Sequence, residues 1–208
     1  MSKTERPVNE LSFFLPDGSS ERVIEYLQHY SVHLTVTRKR STILGDYRAK
    51  HDGKPHRISV NGNLNKYSFL ITLLHELAHL LTFEKFANKV LPHGNEWKIE
   101  FSEILKEFLA KDIFPQDVKR AVLKSIHNPA ASTCSDVELL KVLRTYDKNY
   151  HKKIVVEEVA EGKKFKIKNS QVYIRGPRQR TRYKCRETTT GRWFLFHGMY
   201  EVEEVLEG

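Results

Sequence analysis

Apolar positions change their spacing several times along this chain, and each change marks an expected element. Val23, Ile24 and Leu27 recur at helical intervals, with Ser19 or Ser20 placed to cap a short helix running to about Tyr30. Three extended runs follow. Val32, Leu34 and Val36 alternate over residues 32–37, and Ile43, Leu44 and Tyr47 fall within 41–49. Arg57-Ile58-Ser59-Val60 lies within 56–61, ahead of the turn Asn61-Gly62-Asn63. The third run is short and polar-flanked, as an edge strand is. From Asn65 to about Phe86 the pattern is apolar almost all round: Phe69, Leu70, Ile71, Leu73, Leu74, Leu77, Ala78, Leu80 and Leu81. A helix of that kind sits buried at the centre of a domain. After Pro92 and Gly94, a second helix is expected from about Asn95 to Ala110, with Trp97, Phe101, Ile104, Leu105 and Phe108 on one face. Shorter helices over 116–127 and 135–146 are separated by Pro129-Ala130-Ala131-Ser132.

From Ile154 the pattern turns to β. Extended runs over 154–156, 164–167, 171–174, 182–187 and 193–196 are punctuated by Gly162, Asn169, Gly176-Pro177 and Thr190-Gly191. The expected class is α+β, with a soft boundary near Tyr150 dividing a domain over 1–150 from a smaller β-rich domain over 151–208.

Composition narrows the classes. In 208 residues, 39% hydrophobic with 11 Phe, 9 Tyr and 2 Trp, there is enough apolar surface for a core, so a disordered or low-complexity chain is excluded. Cys134 and Cys185 are too few for a disulfide framework or a four-thiolate zinc site. No signal-peptide pattern follows Met1-Ser2-Lys3-Thr4-Glu5-Arg6, and the apolar stretch 69–74 is broken by Thr72, far short of the roughly 18 residues of a membrane span. A monomeric protein of the reducing cytoplasm, without membrane contact, is expected.

The candidate chemistry lies on the buried helix. His75-Glu76-Leu77-Ala78-His79 is an HExxH. Residues i and i+4 share a helix face, so both imidazoles can reach one ion. Glu76, offset by about 100°, can take a proton from a bound water without being a ligand. Two histidines and a glutamate inside an apolar helix need partners, and a zinc ion with its water supplies them. Catalytic zinc takes three protein ligands and keeps one position open. Thr82 stands where the Gly of an HExxHxxGxxH motif would be, so the third ligand comes from further on. His93 and Glu96 are the candidates, with Glu100 and Glu103 beyond. His93 is preferred, because Gly94 after it allows the backbone to turn the ring inward.

These residues resemble a known family. HELAHLL, followed after residues 80–92 by HGNEW, is similar to the SprT-like metalloproteases, which include the Spartan-type proteases. The likeness is strongest from about Val32 to Phe108. It implies a zincin-like catalytic domain, in which a small antiparallel sheet and packing helices surround the HExxH helix. It also implies that His75, His79 and His93 bind one Zn2+ and that Glu76 is the general base. Many members carry a C-terminal zinc ribbon. Here Tyr183-Lys184-Cys185-Arg186 resembles one ribbon strand, but the paired cysteines are absent. A ribbon-like β domain without metal is expected, held by Val172, Ile174, Trp193, Phe194 and Phe196.

Charge adds a second feature. The net charge is +9, and residues 163–196 hold 11 Lys and Arg against the single acid Glu187. Lys163, Lys164, Lys166, Arg178, Arg180, Arg182, Lys184 and Arg186 interleave with Phe165, Tyr173, Tyr183 and Trp193. From Arg178 to Arg186 every second residue is a cation, which one extended strand would present on one face. Such a surface suits phosphate contact and base stacking without sequence readout, so single-stranded or backbone-contacted DNA is the expected partner. The resemblance points the same way, since Spartan-type relatives cleave proteins attached to DNA. The expected function is a zinc metalloendopeptidase acting on protein substrates at DNA, in DNA–protein crosslink repair, with nucleoid association. A nucleic-acid-binding protein with a structural or inactive zinc site is the alternative. Residues 57–60 can serve either as a strand that pairs with substrate or as plain sheet.

Overall fold

The computed structural model describes residues 8–40, 43–126, 136–148, 150, 154–180 and 182–206. They belong to two compact units, Met1–Asp147 and Lys148–Gly208. Residues 1–6, Ser41, His127, Cys134, Ser135 and the 129–132 linker lie outside the described residues. Among the described residues, no helix is long and apolar enough to cross a membrane.

In the first unit, helix α1 (Ser20–His29) leads into strands β1 (His33–Thr37), β2 (Gly45–Arg48) and β3 (Arg57–Asn61). Helices α2 (Lys66–Phe86), α3 (Asn95–Leu109), α4 (Gln116–Ile126) and α5 (Val137–Arg144) follow. Ser19 is the N-cap of α1, but its hydroxyl donates to the Pro16 carbonyl at 2.6 Å instead of capping the helix.

The sheet corrects two expectations. Its order is β1-β3-β2, with β1 parallel to β3 and β2 antiparallel to it, so the sheet is mixed and not antiparallel. The third run is therefore the central strand and not an edge. Thr37 at the end of β1 pairs with Asn61, and Gly45 at the start of β2 pairs with Val60, so β1 and β2 flank the end of β3. Arg40 holds that end, donating to Asn61 Oδ1 at 2.7 Å and to Ser59 Oγ at 3.0 Å. Ile58 and Val60 are buried there, and β2 is left with a free edge among the described residues.

Helix α2 is the axis of the unit. Leu-rich sequence favours the helix, and Asn65 starts it by accepting from the Ser68 amide at 2.9 Å. The Asn65 amide group also donates to Leu143 O and Asp147 Oδ1, both at 2.8 Å, tying the end of α5 to the start of α2. Phe69, Leu70, Leu73, Leu74 and Leu77 are fully buried against the sheet and against Trp97, Ile104, Leu105 and Phe108 of α3. Each such side chain contributes roughly 1.5–3 kcal/mol relative to exposure.

The second unit holds a two-stranded ladder, β4 (Ile154–Val155) with β9 (Glu201–Val202). Its larger sheet contains β5 (Lys164–Lys166), β6 (Val172–Gln179), β7 (Arg182–Glu187), β8 (Trp193–His197) and β10 (Glu204–Leu206), antiparallel in the order β10-β5-β6-β7-β8. A bulge between Arg175 and Arg178 accommodates Gly176-Pro177, where the β6 backbone runs against the Lys184 carbonyl. The core is Val156, Val159, Phe165, Ile167, Tyr173, Tyr183, Cys185 and Val202, with Phe196 packed on it. That differs from the expected set. Strand alternation turns Tyr173, Tyr183 and Cys185 inward, while Trp193 and Phe194 remain exposed on the outermost strand β8 and Val172 and Ile174 are half-buried.

Candidate metal centre

Helix α2 delivers His75 and His79 from one face, and the loop before α3 delivers His93. His93 adopts a left-handed φ of 59°, a conformation non-glycine residues rarely take, and this turns the ring back toward α2. The His93 Nε2 lies 3.2 Å from His75 Nε2 and 3.0 Å from His79 Nε2. Trp97, fully buried in the first turn of α3, packs its indole on all three rings with centroids 4.7, 5.4 and 4.8 Å away.

The donor set fits a divalent cation. Two nitrogens bound about 2.0–2.1 Å from one tetrahedral ion lie about 3.3–3.4 Å apart, close to the separations found. All three rings favour the neutral, lone-pair form. Burial, reinforced by His79 and His93, pushes His75 down to about 3. Burial and then His93 take His79 to about 4, and burial lowers His93. Three imidazoles with converging Nε2 atoms cannot satisfy one another, since each neutral ring has one N–H to share between two nitrogens. A cation accepts all three lone pairs. These histidines form a group able to hold a metal ion. Glu96 is not part of that group, Glu100 is held by Lys85 at 2.7 and 2.8 Å, and Glu103 by Lys106.

Glu76 lies beside the cluster, 7% exposed. Burial first, then the Asp46 carboxylate, raise its carboxyl to about 8, against the opposing charge of Arg40. The four residues share a cleft of about 690 Å³ with Gly45, Asp46 and Tyr47 of β2, Thr72 and Phe83 of α2, Trp97, and the flanking segments 43–44 and 90–92. Sequence reasoning missed Gly45, Asp46, Tyr47 and Trp97 as parts of this site. The glycine ahead of the second strand and the indole four residues after His93 were the available signals.

Tyr47 is held from behind. The His56 Nε2 faces Glu84 Oε1 at 3.2 Å, so it carries the proton, and Nδ1 accepts from the Tyr47 hydroxyl at 2.9 Å. The Tyr47 ring lies nearly parallel to His79, at 5° and 6.3 Å between centroids.

The basic residues sort differently from the expectation of one continuous face. A turn at Arg180 splits the alternating run between two strands. Arg182, Lys184 and Arg186 of β7 share one face, opposite His197, Leu195 and Trp193 of β8. Lys164 and Lys166 join that face through Ile174 and Val172. Lys163 precedes β5, and Arg178 lies across the bulge, opposite Tyr183. Lys184 Nζ sits 4.7 Å over the exposed Trp193 ring.

A helix carrying two histidines and a glutamate, completed by a third histidine from the next loop, is an HExxH arrangement whose three imidazoles could hold one metal ion. The chain belongs to the SprT-like family, whose model matches residues 17–119. It is 30% identical over 104 residues to Protein SprT of Yersinia pseudotuberculosis serotype IB (strain PB1/+), a match covering 44% of this chain and 61% of that protein. Protein SprT of Yersinia pestis is 29% identical over 104 residues, with the same coverage. The matched stretch thus spans less than two thirds of these relatives. No solved structure shows a significant match.

Proposed function

We propose that this chain is a zinc-dependent metalloendopeptidase that cleaves proteins associated with or crosslinked to DNA. The observation that carries the reading is the convergence of three buried or half-buried imidazoles with a buried, non-coordinating carboxyl in one open cleft. Bound zinc would supply Lewis acidity, polarising a peptide carbonyl and lowering the pKa of water at the site. His75, His79 and His93 would hold it. Glu76 takes the proton of the attacking water and returns it to the leaving amine. In the metal-free protein burial keeps this carboxyl raised, and a cation on the adjacent histidines would draw the value back toward the ordinary range, freeing the carboxylate to act as the base. The free edge of β2 runs along the cleft and offers backbone groups to an extended substrate, a role the central strand β3 cannot take. The Tyr47 hydroxyl, already donating to His56, is not free to stabilise an oxyanion in this arrangement.

The basic face of β5, β6 and β7 with Trp193 supports the DNA part of the reading, through phosphate contact and base stacking. The test is proteolysis of casein or histone by zinc-loaded protein, with and without single-stranded DNA. Wild type is expected to cleave, and Glu76→Gln to keep zinc while losing about 10²–10⁴-fold in rate. Cleavage by Glu76→Gln at the wild-type rate would refute the mechanism.

A further inference from the structure

The cleft is more apolar than its chemistry requires. Ile43 and Leu44 line it from the segment before β2, and Val90, Leu91 and Pro92 from the loop before α3. Two of these side chains are strongly exposed, Ile43 at 42% and Leu91 at 77%. Neither is needed to place the histidines, which Trp97 and α2 already fix. Large aliphatic side chains left in water beside a reactive site mark a surface that is covered when ligand binds. Among the described lining residues there is no Lys or Arg to receive an acidic ligand. Asp46 of the lining is already paired with Arg48 at 2.9 Å.

The neighbouring strand sets how a ligand enters. Gly45, Asp46 and Tyr47 of β2 line the same cleft, and the outer edge of β2 has no strand partner among the described residues. A polypeptide adding to that edge presents alternate side chains to one face. Every second residue of the bound segment is therefore aimed at the aliphatic surface.

We infer, on the footing of the peptidase reading above, that the cleft selects extended polypeptide segments carrying a bulky apolar side chain next to the scissile bond, received by Ile43, Leu44, Val90 and Leu91. Acidic side chains at that position meet no cation in the lining and lose solvation against the aliphatic wall. Because the wall is partly open to water, the discrimination is modest, about 10-fold in kcat/KM, at the low end for an apolar pocket.

The test uses the full zinc-loaded chain and decapeptides identical except for one central residue: Leu, Phe, Ser, Lys or Asp. Leu and Phe peptides are expected to be cut about 10-fold faster than the Asp peptide. Ile43→Asp and Leu91→Asp are expected to erase that ratio while zinc content and thermal unfolding stay at the wild-type values. Equal cleavage of all five peptides overturns the inference and leaves the peptidase reading standing. A binding arm separates the two ideas if nothing is cut. There, zinc-loaded Glu76→Gln is titrated with the same fluorescein-labelled peptides by anisotropy. Tighter binding of the Leu and Phe peptides, lost in Glu76→Gln/Leu91→Asp, upholds the apolar selection even with the peptidase reading gone. Indifferent binding overturns it.

Discussion

Gly45 on β2 lies so close to Glu76 on α2 that a β-carbon at position 45 would stand 2.5 Å from Glu76 Oε1 and 2.8 Å from Thr72 Cγ2. The sheet edge and the helix meet here with no room for a side chain, and the meeting fixes where the carboxyl points. Gly45→Ala must displace either the strand or the carboxyl. A displacement of about 1 Å in a reacting group costs on the order of 10²-fold. The expected outcome is a fall of that order in kcat/KM with zinc content unchanged, read by peptide kinetics and metal analysis of the same preparation.

Acid sensitivity follows from the buried imidazoles. His75 and His79 lie at about 3 and 4 in the folded, metal-free protein, and burial also lowers His56. In the unfolded chain such groups titrate near 6.5. Below that value the unfolded state takes up protons that the folded state refuses, so stability falls as pH falls and levels off only beneath the folded values. Thermal unfolding of metal-free protein is expected to drop steadily from pH 6.5 to 4.5. A double variant, His75→Ala/His79→Ala, is expected to show a shallower slope over the same range.

Asn65 couples two helices through one side chain. Asn65→Ala removes the α2 cap and the donors to Leu143 O and Asp147, at an expected cost of about 2 kcal/mol. Asn65→Asp keeps an acceptor for the Ser68 amide but sets a second carboxylate against Asp147, so it should recover only part of the loss. Urea denaturation of the three proteins measures both effects.

The β7 cations make a salt prediction. If Arg182, Lys184 and Arg186 each neutralise one phosphate, their joint replacement by Ala lowers the slope of log affinity against log salt by about 2, at roughly 0.7 per contact on single strands. Fluorescence anisotropy with labelled oligonucleotides at several salt concentrations reads the slope. An unchanged slope would place the DNA contact elsewhere.

Much of the architecture can be read from the chain. Helix α2 declares itself because its apolar residues leave no polar face, and the i, i+4 histidines then have only one side to share. His93 is legible as the third ligand, but not for the reason expected: its own backbone, at φ 59°, makes the turn, while Gly94 is extended at φ −70°. Strand order is not legible. Five residues such as Arg57-Ile58-Ser59-Val60-Asn61 look alike at an edge or in the middle, and the contact that holds their end, Arg40 to Asn61, comes from a loop without periodicity. The inward set of the second unit was obscured for a related reason. Bulky Trp193 and Phe194 suggest core, yet β8 is the outermost strand and covers them on one side only. The alternating cations from Arg178 to Arg186 concealed the turn at Arg180, because a hairpin tip and a continuous strand carry the same spacing.

Metal content bears most directly on the account as a whole. Zinc measured by mass spectrometry in wild type and in His93→Ala, both purified with zinc present, should show one ion per wild-type chain and a near-complete loss in the variant. Retention of zinc by His93→Ala, or its absence from folded wild type, would contradict a site built from these three imidazoles.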